Sequence, residues 1–467
     1  MDRVDNAHVH DVTRESNNEG ALEEGALDVV RVLAGAGHRA LWAGGCVRDR
    51  VLGIPPTDYD IATDADPEEI VRIFSNAPGA DARYVGAAFG VVRVSLGDRA
   101  YEVARFRREG DYRDGRHPER VVFSDEREDA ERRDFTVNGV FYDPLEDRIL
   151  DYIGGLEDLE RQTIRTIGNA DDRFGEDRLR MLRAIRFAAR LNWSVEERTL
   201  SAIRRSAAAI DAISPERIRD EVMRTIAEGG GAWGLRLLLD TGLLDVVLPE
   251  VAAMVDVPQP PQFHPEGDVF THTQIMLGIA SVRTISPELA LGILLHDVGK
   301  PPTFEVADRI RFNLHTKVGA EIAERICRRL VLSTDASTHV VRLVADHHRF
   351  THVKEMRPSK LKRLLQTPRF QDHLALHRID CLASHGNLDN YAFCVDALDR
   401  LEPDDIKPHP LIRGDDLIAL GYAPGPAFGR VLARVEDEQL DGTVDSRTEA
   451  LALAQKLMAS EGCEPQR

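Results

Sequence analysis

The feature that most restricts the fold of this chain is a change of pattern along it. Between residues 26 and 150, short apolar runs alternate with turns, and this alternation predicts a mixed α/β domain. From about Asp172 onward, apolar residues recur at helical spacing instead. We therefore predict a mixed α/β head, followed by an all-α neck and body and a further all-α domain.

Polar and proline-rich segments indicate where the chain divides into parts. The first residues are polar and acidic, which favours a disordered leader. The prolines of Val255–Pro265 indicate a linker. The parts predicted in this way are a leader (1–25), the α/β head (26–155), a helical neck and body (156–255), a histidine-rich helical domain (256–400) and a helical tail (401–467).

Composition restricts the class of protein. Hydrophobic residues make up 43% and charged residues 30%, which is typical of a soluble globular protein. No apolar run approaches the ~18 residues needed to cross a bilayer, and the N-terminal residues lack the apolar core of a signal peptide. We therefore expect a cytoplasmic protein without membrane contact. The five cysteines are scattered and form no Cys-x-x-Cys pair, which argues against a disulfide framework or a zinc knuckle.

The net charge of −19 argues against nucleic-acid binding unless the basic residues are clustered. Two stretches do cluster them. Either stretch is explained equally well by solvated helix faces or by contacts to backbone phosphates. The two stretches hold Arg161, Arg165, Arg173, Arg178, Arg180, Arg183, Arg186 and Arg190, and then Lys354, Arg357, Lys360, Lys362, Arg363 and Arg369.

Two aspartates stand out in the head. Asp58 and Asp60 are two residues apart in a predicted strand, so both carboxylates should face the same side. Hard oxygen ligands on one face suit Mg²⁺, which also takes triphosphate oxygens. Glu102, in a later predicted strand, is a candidate third carboxylate, although a surface glutamate is an equal alternative.

A glycine pair precedes these aspartates. Gly44 and Gly45 follow a short predicted strand and open a short predicted helix. Backbone N–H groups at such a junction can hold a triphosphate, and Arg48 would add positive charge. The sequence thus predicts phosphate binding beside a magnesium site.

These residues carry a resemblance. The segment Gly44-Gly-Cys-Val-Arg48-Asp, followed by Asp58-Tyr-Asp60, resembles the first motif of the bacterial-type (class II) CCA-adding tRNA nucleotidyltransferase and poly(A) polymerase family. The resemblance covers roughly residues 40–190 and implies a polymerase β-like nucleotidyltransferase fold for the α/β head. It continues through Glu102-Val-Ala-Arg-Phe-Arg107, Asp114-Gly-Arg116, Arg132-Arg-Asp-Phe-Thr-Val-Asn138, Gly154-Gly155-Leu-Glu-Asp158-Leu and Glu176-Asp-Arg-Leu-Arg180, with Gly139 standing where the family usually has Ala.

The resemblance assigns roles by position. Asp58, Asp60 and Glu102 would be catalytic, with Mg²⁺ at Asp58 and Asp60. The nucleotide-binding residues that it implies are Gly44, Gly45, Arg48, Arg132, Arg133, Asp134, Asn138, Asp177, Arg180 and Arg183.

Within that set, the family's base-reading pair corresponds to Asp177 and Arg180, which we expect to be neighbours on one helix. A carboxylate accepts from the exocyclic amine of cytosine or adenine, and a guanidinium donates to the ring nitrogen. Uracil and guanine would present the wrong groups to both. The alternative is an ordinary surface salt bridge between the two residues.

The resemblance implies template-independent addition of CMP and AMP, from CTP and ATP, to the 3′ end of tRNA. Arg107–His117 resembles the flexible loop kept by enzymes that add A, and Tyr84–Val92 lacks the basic pattern of bacterial poly(A) polymerases. An A-adding enzyme or a poly(A) polymerase remains the alternative. A phosphohydrolase whose head only binds nucleotide, and a non-catalytic RNA-binding scaffold, are alternatives of other classes. The sequence does not reveal the oligomeric state.

The histidine-rich domain has a resemblance of its own. The order His … His-Asp … Asp, with Leu-Leu-His296-Asp297-Val-Gly-Lys, resembles the HD phosphohydrolase superfamily. By position, the metal ligands would be His272, His296, Asp297 and Asp380, with His315 and His347 completing a second site and His348 a weaker candidate. Imidazoles and carboxylates suit a divalent transition metal or Mg²⁺. The resemblance implies phosphatase or 2′,3′-cyclic phosphodiesterase activity on RNA ends, and a degenerate RNA-binding scaffold is the alternative.

Overall fold

The computed structural model describes residues 9–86, 90–109, 121–282 and 285–465. The chain divides into two compact units. The first comprises the residues up to Thr225 together with Trp233–Val247, and the second comprises Ile226–Ala232 together with the residues from Leu248 onward. None of the described helices combines the length and the apolarity that a bilayer crossing requires.

The strands of the first unit begin in the predicted α/β head. Seven of them form one sheet in the order β3-β4-β5-β2-β1-β8-β9, in which β2 and β5 are parallel. The strands are β1 (Ala40–Ala43), β2 (Asp60–Thr63), β3 (Ala80–Gly86), β4 (Val91–Leu96), β5 (Arg99–Arg105), β6 (Arg107–Glu109), β7 (Val121–Phe123), β8 (Phe141–Asp143), β9 (Arg148–Leu150), β10 (Thr163–Ile164) and β11 (Ser194–Val195).

Helices accompany the sheet and then replace strands along the chain, as the change of pattern predicts. They are α1 (Val9–Gly35), α2 (Gly45–Val51), α3 (Pro67–Ser75), α4 (Glu126–Arg132), α5 (Gly155–Glu160), α6 (Ala170–Glu176), α7 (Leu179–Leu191), α8 (Glu197–Ser206), α9 (Pro215–Ala227), α10 (Gly231–Asp240) and α11 (Leu243–Val247), with 3₁₀ turns at Thr136–Asn138 and Ala207–Ala212. One face of the sheet packs on α1 and α3 through Val30, Trp42, Ile61 and Phe74.

The second unit is helical apart from one short hairpin. Its helices are α12 (Pro249–Ala252), α13 (Val269–Ala280), α14 (Pro287–Leu295), α15 (His315–Arg329), α16 (Thr334–Asp346), α17 (Pro358–Leu365), α18 (Phe370–Ala383), α19 (Asp389–Arg400), α20 (Pro403–Ile406), α21 (Gly414–Ala419), α22 (Pro426–Asp441) and α23 (Arg447–Ser460). The hairpin pairs β12 (Phe304–Val306) with β13 (Ile310–Phe312), and 3₁₀ turns cover Pro301–Thr303 and His347–Glu355.

Two predictions about the connecting segments were wrong. The leader prediction fails from Val9 onward, because α1 starts there and Leu22, within the predicted leader, packs against the sheet core. The linker prediction fails at Val255–Pro265, because this segment is held to its own unit. Pro258 bridges Asp268, and the buried Gln259 accepts a hydrogen bond from Lys300 Nζ at 2.6 Å. Prolines here shape a packed loop rather than a free connection.

Candidate nucleotidyl-transfer site and candidate metal centre

A cleft of about 520 Å³ opens in the first unit, where most of the predicted head residues meet. We call it the head cleft. It is lined by Gly44, Gly45, Arg48, Asp49, Thr57, Asp58, Asp60, Arg132, Arg133, Asp134, Asn138, Asp177, Leu179, Arg180, Arg183, Arg186, Phe187, Arg190, Arg217 and Arg224.

The two aspartates lie at the start of β2 rather than within it. The strand begins at Asp60, which pairs with Ala43, so Asp58 precedes the strand and the prediction of a strand over both was wrong. β1 ends at Ala43, so its antiparallel pairing with β2 stops at Asp60 and does not reach Asp58. The alternation survives nevertheless, because Tyr59 is buried while both aspartates line the head cleft.

Glu102 joins this pair through the sheet. It lies on β5 directly opposite Asp60 in the parallel register, and both neighbours of Glu102 on the strand point into the core. The protein packed around Asp60, and then the negative charge of Asp58, raise the pKa of Asp60 to about 6, and Glu102 adds to this shift. Three carboxylates, two of which raise the pKa of the third, are a set of hard donors suited to a divalent cation.

Gly44 brings the backbone close to these carboxylates. It adopts φ 76°, a conformation that L side chains rarely take. A Cβ there would lie 3.2 Å from Arg133 Nη1 and 3.6 Å from Asp60 Oδ2. The glycine therefore keeps open the space where α2 begins, which is where an anionic group would meet backbone N–H groups.

Arg132 and Arg133 are held in place by Asp129, a residue that the sequence analysis did not single out. Asp129 is buried and accepts from Arg132 Nε at 2.7 Å and from Arg133 Nη2 at 3.0 Å. Burial alone would raise the pKa of Asp129, but the two guanidinium groups lower it. Its position one helical turn before Arg133 on α4 was the signal available in the sequence.

Asp134 and Asn138 are fixed in the cleft wall. Asp134 accepts from Arg183 Nε at 2.9 Å and Nη2 at 2.6 Å, and from Asn138 Nδ2 at 3.1 Å. Burial opposes ionisation of Asp134, yet Arg183 brings its pKa down to about 2. Arg48 is buried and bonded to Asp49 and Asn138, so it supports this wall and its charge is largely neutralised.

The expected base-reading pair lies at a helix break. Asp177 has φ −139° and ends α6, so the prediction that it shares a helix with Arg180 was wrong. Its Oδ1 instead accepts from the backbone N–H of Leu179 at 3.0 Å and thereby caps α7. No Asp177–Arg180 ion pair forms in the described part of the chain. Asp177 Oδ2 accepts from Arg217 at 3.0 Å, and Arg180 donates to Glu176 at 2.6 Å.

The head cleft is lined by more basic than acidic side chains, although the chain as a whole is acidic. Its lining contains nine arginines and five aspartates. The first predicted basic stretch supplies Arg180, Arg183, Arg186 and Arg190 to the cleft. The second stretch behaves differently, because Arg357 and Arg363 pair with the acidic residues of α22 and help to pack α17 against it.

A second cavity, of about 730 Å³, lies in the second unit. We call it the histidine pocket, lined among others by His264, His296, Asp297, Lys300, His315, His347, His348 and Asp380. Three of its imidazoles are anchored alike. His296, His315 and His347 place Nδ1 against the carbonyl oxygen three residues earlier, at 2.8, 2.9 and 2.8 Å.

The opposite ring nitrogens face carboxylates. His315 Nε2 and His347 Nε2 each lie 3.7 Å from Asp297 Oδ1, and His272 Nε2 lies 3.2 Å from Asp380 Oδ1. None of these buried nitrogens makes a well-formed hydrogen bond within the described residues. Burial, followed by the charge of His296, lowers the pKa of His347 well below its usual value, so this ring presents a lone pair.

The donor set therefore fits a divalent cation. Neutral imidazoles with Nδ1 engaged, together with converging carboxylates, are the ligands that such ions take. Asp297 stays ionised, because His296 and Lys300 overcome its burial and hold its pKa well below the usual range. Gly299 lets α15 approach, since a Cβ there would lie 2.1 Å from the carbonyl oxygen of His315.

Two predicted segments fall partly or wholly outside the described residues. The loop Arg107–His117 is described only as far as Glu109, so Asp114 and Arg116 lie outside. In Tyr84–Val92, residues 87–89 also lie outside.

Three family models match the chain in this order. The poly A polymerase head domain covers residues 40–165, a probable RNA and SrmB-binding site of polymerase A covers 192–255, and the HD domain covers 269–404. The head match contains Asp58, Asp60, Glu102 and the segment Arg132–Asn138. The HD match contains the six predicted metal ligands, His272, His296, Asp297, His315, His347 and Asp380.

Curated relatives match the head and body. The chain is 43% identical over 235 residues to the CCA-adding enzyme of Geobacillus kaustophilus, covering 50% of this chain and 56% of that protein. It is 36% identical over 241 residues to poly(A) polymerase I of Salmonella typhi, covering 49% of this chain and 51% of that protein. The chain thus spans about half the length of the curated relatives it matches.

Solved structures match over a greater length. The Bacillus stearothermophilus CCA-adding enzyme in complex with CTP has a TM-score of 0.68 at 26% identity, covering 94% of this chain and 98% of that one. The Thermotoga maritima CCA-adding enzyme complexed with tRNA shares the fold, with a TM-score of 0.56 at 18% identity over 92% and 93%. The chain therefore contains a poly A polymerase head domain, a probable RNA-binding segment of polymerase A and an HD domain in that order, and its fold is similar to that of the Bacillus stearothermophilus CCA-adding enzyme.

Proposed function

We propose that this chain adds CMP and AMP from CTP and ATP to the 3′ end of tRNA. The observation that carries the proposal is the head cleft, in which Asp58, Asp60 and the register-matched Glu102 lie beside a wall of arginines. The relatives named CCA-adding enzyme support the tRNA end as acceptor. We further propose that the two units act as a head with its neck and body, and as a metal-binding HD domain with a helical tail.

The residues of the cleft divide the work of nucleotidyl transfer. Mg²⁺ held by Asp58 and Asp60 would activate the terminal 3′-hydroxyl and stabilise the leaving pyrophosphate. Arg132 and Arg133 supply positive charge for the triphosphate, and the N–H groups that follow Gly44 add hydrogen-bond donors. Asp134, fixed by Arg183, is oriented to accept from a ribose hydroxyl, which would favour ribonucleotides.

Base choice requires the ion pairs at the helix break to exchange partners. Asp177 is bonded to Arg217, and Arg180 is bonded to Glu176. These two partners hold the side chains of Asp177 and Arg180 in the cleft. An incoming cytosine or adenine would take over these hydrogen bonds with its amine and ring nitrogen. Uracil would set its carbonyl against Asp177 and its N–H against Arg180, so it could not replace the hydrogen bonds that these side chains give up. A site of this kind discriminates strongly between bases.

Addition of A alone, as in poly(A) polymerases, is the second candidate product. The poly(A) polymerase relatives, at 36% identity, support it. The head cleft contains the same reading pair for either product, so the acceptor RNA and the stopping point distinguish them.

The test uses the purified full-length chain, Mg²⁺, and a tRNA that lacks its CCA end. Labelled CTP and ATP are supplied separately and together. We expect incorporation of CTP alone, and of ATP only after CTP, with Asp58→Ala abolishing both. ATP incorporation into any RNA without CTP would favour poly(A) synthesis, and incorporation that survives Asp58→Ala would overturn the proposed site.

We also propose that the histidine pocket is a metal-dependent phosphohydrolase site. The supporting observation is the set of buried imidazole nitrogens that converge on Asp297 and Asp380 without well-formed hydrogen bonds in the described chain. Such a site suits a transition metal or Mg²⁺ and a phosphate ester of an RNA end. Hydrolysis of adenosine 2′,3′-cyclic phosphate with Mn²⁺, Ni²⁺ or Mg²⁺ tests the proposal. No product with any of the three metals would contradict it.

A further inference from the structure

The four histidines among the predicted metal ligands are not oriented by the same means. In His296, His315 and His347, Nδ1 is hydrogen-bonded to the backbone carbonyl oxygen three residues earlier. His272 instead places Nδ1 at 2.6 Å from Oε1 of Glu266. Its orientation therefore depends on a side chain, which a substitution can remove without disturbing the backbone.

Glu266 directly follows the proline-rich segment Val255–Pro265 and precedes the HD domain match, which starts at residue 269. That segment is fixed at both ends. Val269 N donates to Val257 O at 3.1 Å, and Asp268 caps α13 by accepting from Thr271 N at 2.7 Å. Glu266 thus lies outside the His … His-Asp … Asp order but in a rigid position against it.

The carboxylate of Glu266 lies between two imidazoles, those of His264 and His272. Its side chain is 8% exposed, and Oε1 also lies 2.9 Å from Nδ1 of His264. Oε2 is buried and has no hydrogen-bond partner within the described residues. Burying a carboxylate is costly unless donors compensate it, and here the two ring N–H groups do so.

We propose that Glu266 is a positioning residue for the HD-domain metal. By accepting the Nδ1–H of His272, it leaves Nε2, the nitrogen that faces Asp380, as the one that binds the ion, and it makes that nitrogen a stronger ligand. His272 is held by a carboxylate while the other three rings are held by peptide carbonyls. The inference rests on the proposed function in one respect, namely that a divalent cation binds in this pocket.

The test measures Mn²⁺ binding to metal-free, full-length protein by titration calorimetry. Asp58→Asn and Asp60→Asn are present in every sample, so that the head cleft does not contribute. Removing such outer-shell partners lowers metal affinity by about 10- to 100-fold, and we expect that loss in Glu266→Ala. Glu266→Gln, which can still accept the N–H without a charge, should fall between. Glu324→Gln on α15, whose side chain is 59% exposed, is the matched control and should bind like the parent.

Melting temperatures in EDTA separate positioning from folding. Unchanged melting with weakened Mn²⁺ binding supports the inference, whereas equal affinity in Glu266→Ala and the parent overturns it. Weaker binding accompanied by a matching loss of thermal stability in EDTA also overturns it. If the parent binds no Mn²⁺, or if Asp297→Ala binds as tightly as the parent, the proposed HD site itself fails. That outcome is distinct from a failure of Glu266 alone.

Discussion

The head cleft and the histidine pocket hold their reactive groups by different means. In the head cleft, side chains hold side chains: Asp129 holds two arginines, and Asp134 is held by Arg183. In the histidine pocket, backbone carbonyls hold three of the imidazoles, and the ligand nitrogens are fully buried. The first arrangement can exchange partners, whereas the second is fixed before any ligand arrives.

The difference matches the ligands that we propose. A nucleotide brings phosphates, a sugar and a base, and guanidinium groups already paired with carboxylates can transfer hydrogen bonds to them at modest net cost. A metal ion requires ligands placed to within a fraction of an ångström, which preorganised imidazoles provide. Binding at the head cleft should accordingly be the more salt-sensitive of the two.

The strongest test of the comparison is to inactivate each site separately. Asp60→Ala removes a ligand of the proposed magnesium, and we expect nucleotidyl transfer to fall by at least about 10³-fold, because charge stabilisation is lost in the reaction itself. Asp297→Ala should abolish phosphodiester hydrolysis and leave nucleotidyl transfer within about twofold, since it only touches groups of the histidine pocket. Both activities are measured on the same preparations. A variant that loses both would contradict the assignment of separate sites.

The next largest effect concerns base choice. Asp177→Ala should lower discrimination of CTP against UTP by about 100-fold, because the carboxylate that rejects the uracil carbonyl is gone. Single-turnover incorporation of each nucleotide measures this. Arg217→Gln is the matched variant, since it only releases the carboxylate from its partner, and we expect it to lose less than a tenth as much selectivity. Unchanged discrimination in Asp177→Ala would remove Asp177 from the reading pair.

The pH dependence of the head cleft follows from Asp60. Its raised pKa of about 6 means that protons compete with Mg²⁺ below that pH. At low Mg²⁺ we expect the transfer rate to fall about tenfold per pH unit below pH 6, and excess Mg²⁺ should move the midpoint to lower pH. A midpoint that ignores the Mg²⁺ concentration would contradict this explanation.

The same pKa has a consequence for stability. A carboxyl whose pKa rises on folding is less stable in its ionised form, so Asp60 costs folding free energy above about pH 6. We expect Asp60→Asn, although inactive, to stabilise the protein in EDTA at pH 7 by up to about 1 kcal/mol, because the site remains partly solvated. Urea unfolding at pH 7 and at pH 4 checks the sign. The gain should disappear at pH 4.

The smallest effect concerns Gly139, which stands where the family resemblance predicts Ala. A Cβ there would lie 2.3 Å from Ile153 Cδ1 and 3.3 Å from the carbonyl oxygen of Ala130, so the glycine is needed for close packing. We expect Gly139→Ala to destabilise the first unit by about 1 kcal/mol through overpacking. Adding Ile153→Val should recover most of that loss. Destabilisation that Ile153→Val does not relieve would point to the backbone instead.

Local signals in the sequence predicted much of the fold. The helix after Asp66-Pro67, the turn at Gly97-Asp98 and the helix Pro215–Ala227 all lie where their residues indicate. These features depend on capping, turn chemistry and periodicity, which act over a few residues. Motif residues could be named for the same reason, because each motif is short.

Tertiary contacts account for what could not be predicted. The break at Asp177 precedes the apolar stripe of α7, and there the aspartate side chain accepts from the backbone N–H of Leu179, the first residue of that helix. The proline-rich segment reads as a linker until Gln259 is found against Lys300. Asp129 belongs to no motif, although its helical spacing from Arg132 and Arg133 was a local signal. Glu266 also belongs to none, and its contact with His272 depends on the conformation of the loop before α13.

The most direct test of the central claim is to sequence the 3′ ends of tRNAs after reaction with CTP and ATP together. The substrates end before the first C, after one C and after two Cs. We expect each to be completed to CCA and extended no further, with no product from Asp60→Ala. Runs of A without preceding C, or tails that continue past the terminal A, would contradict CCA addition by this head cleft.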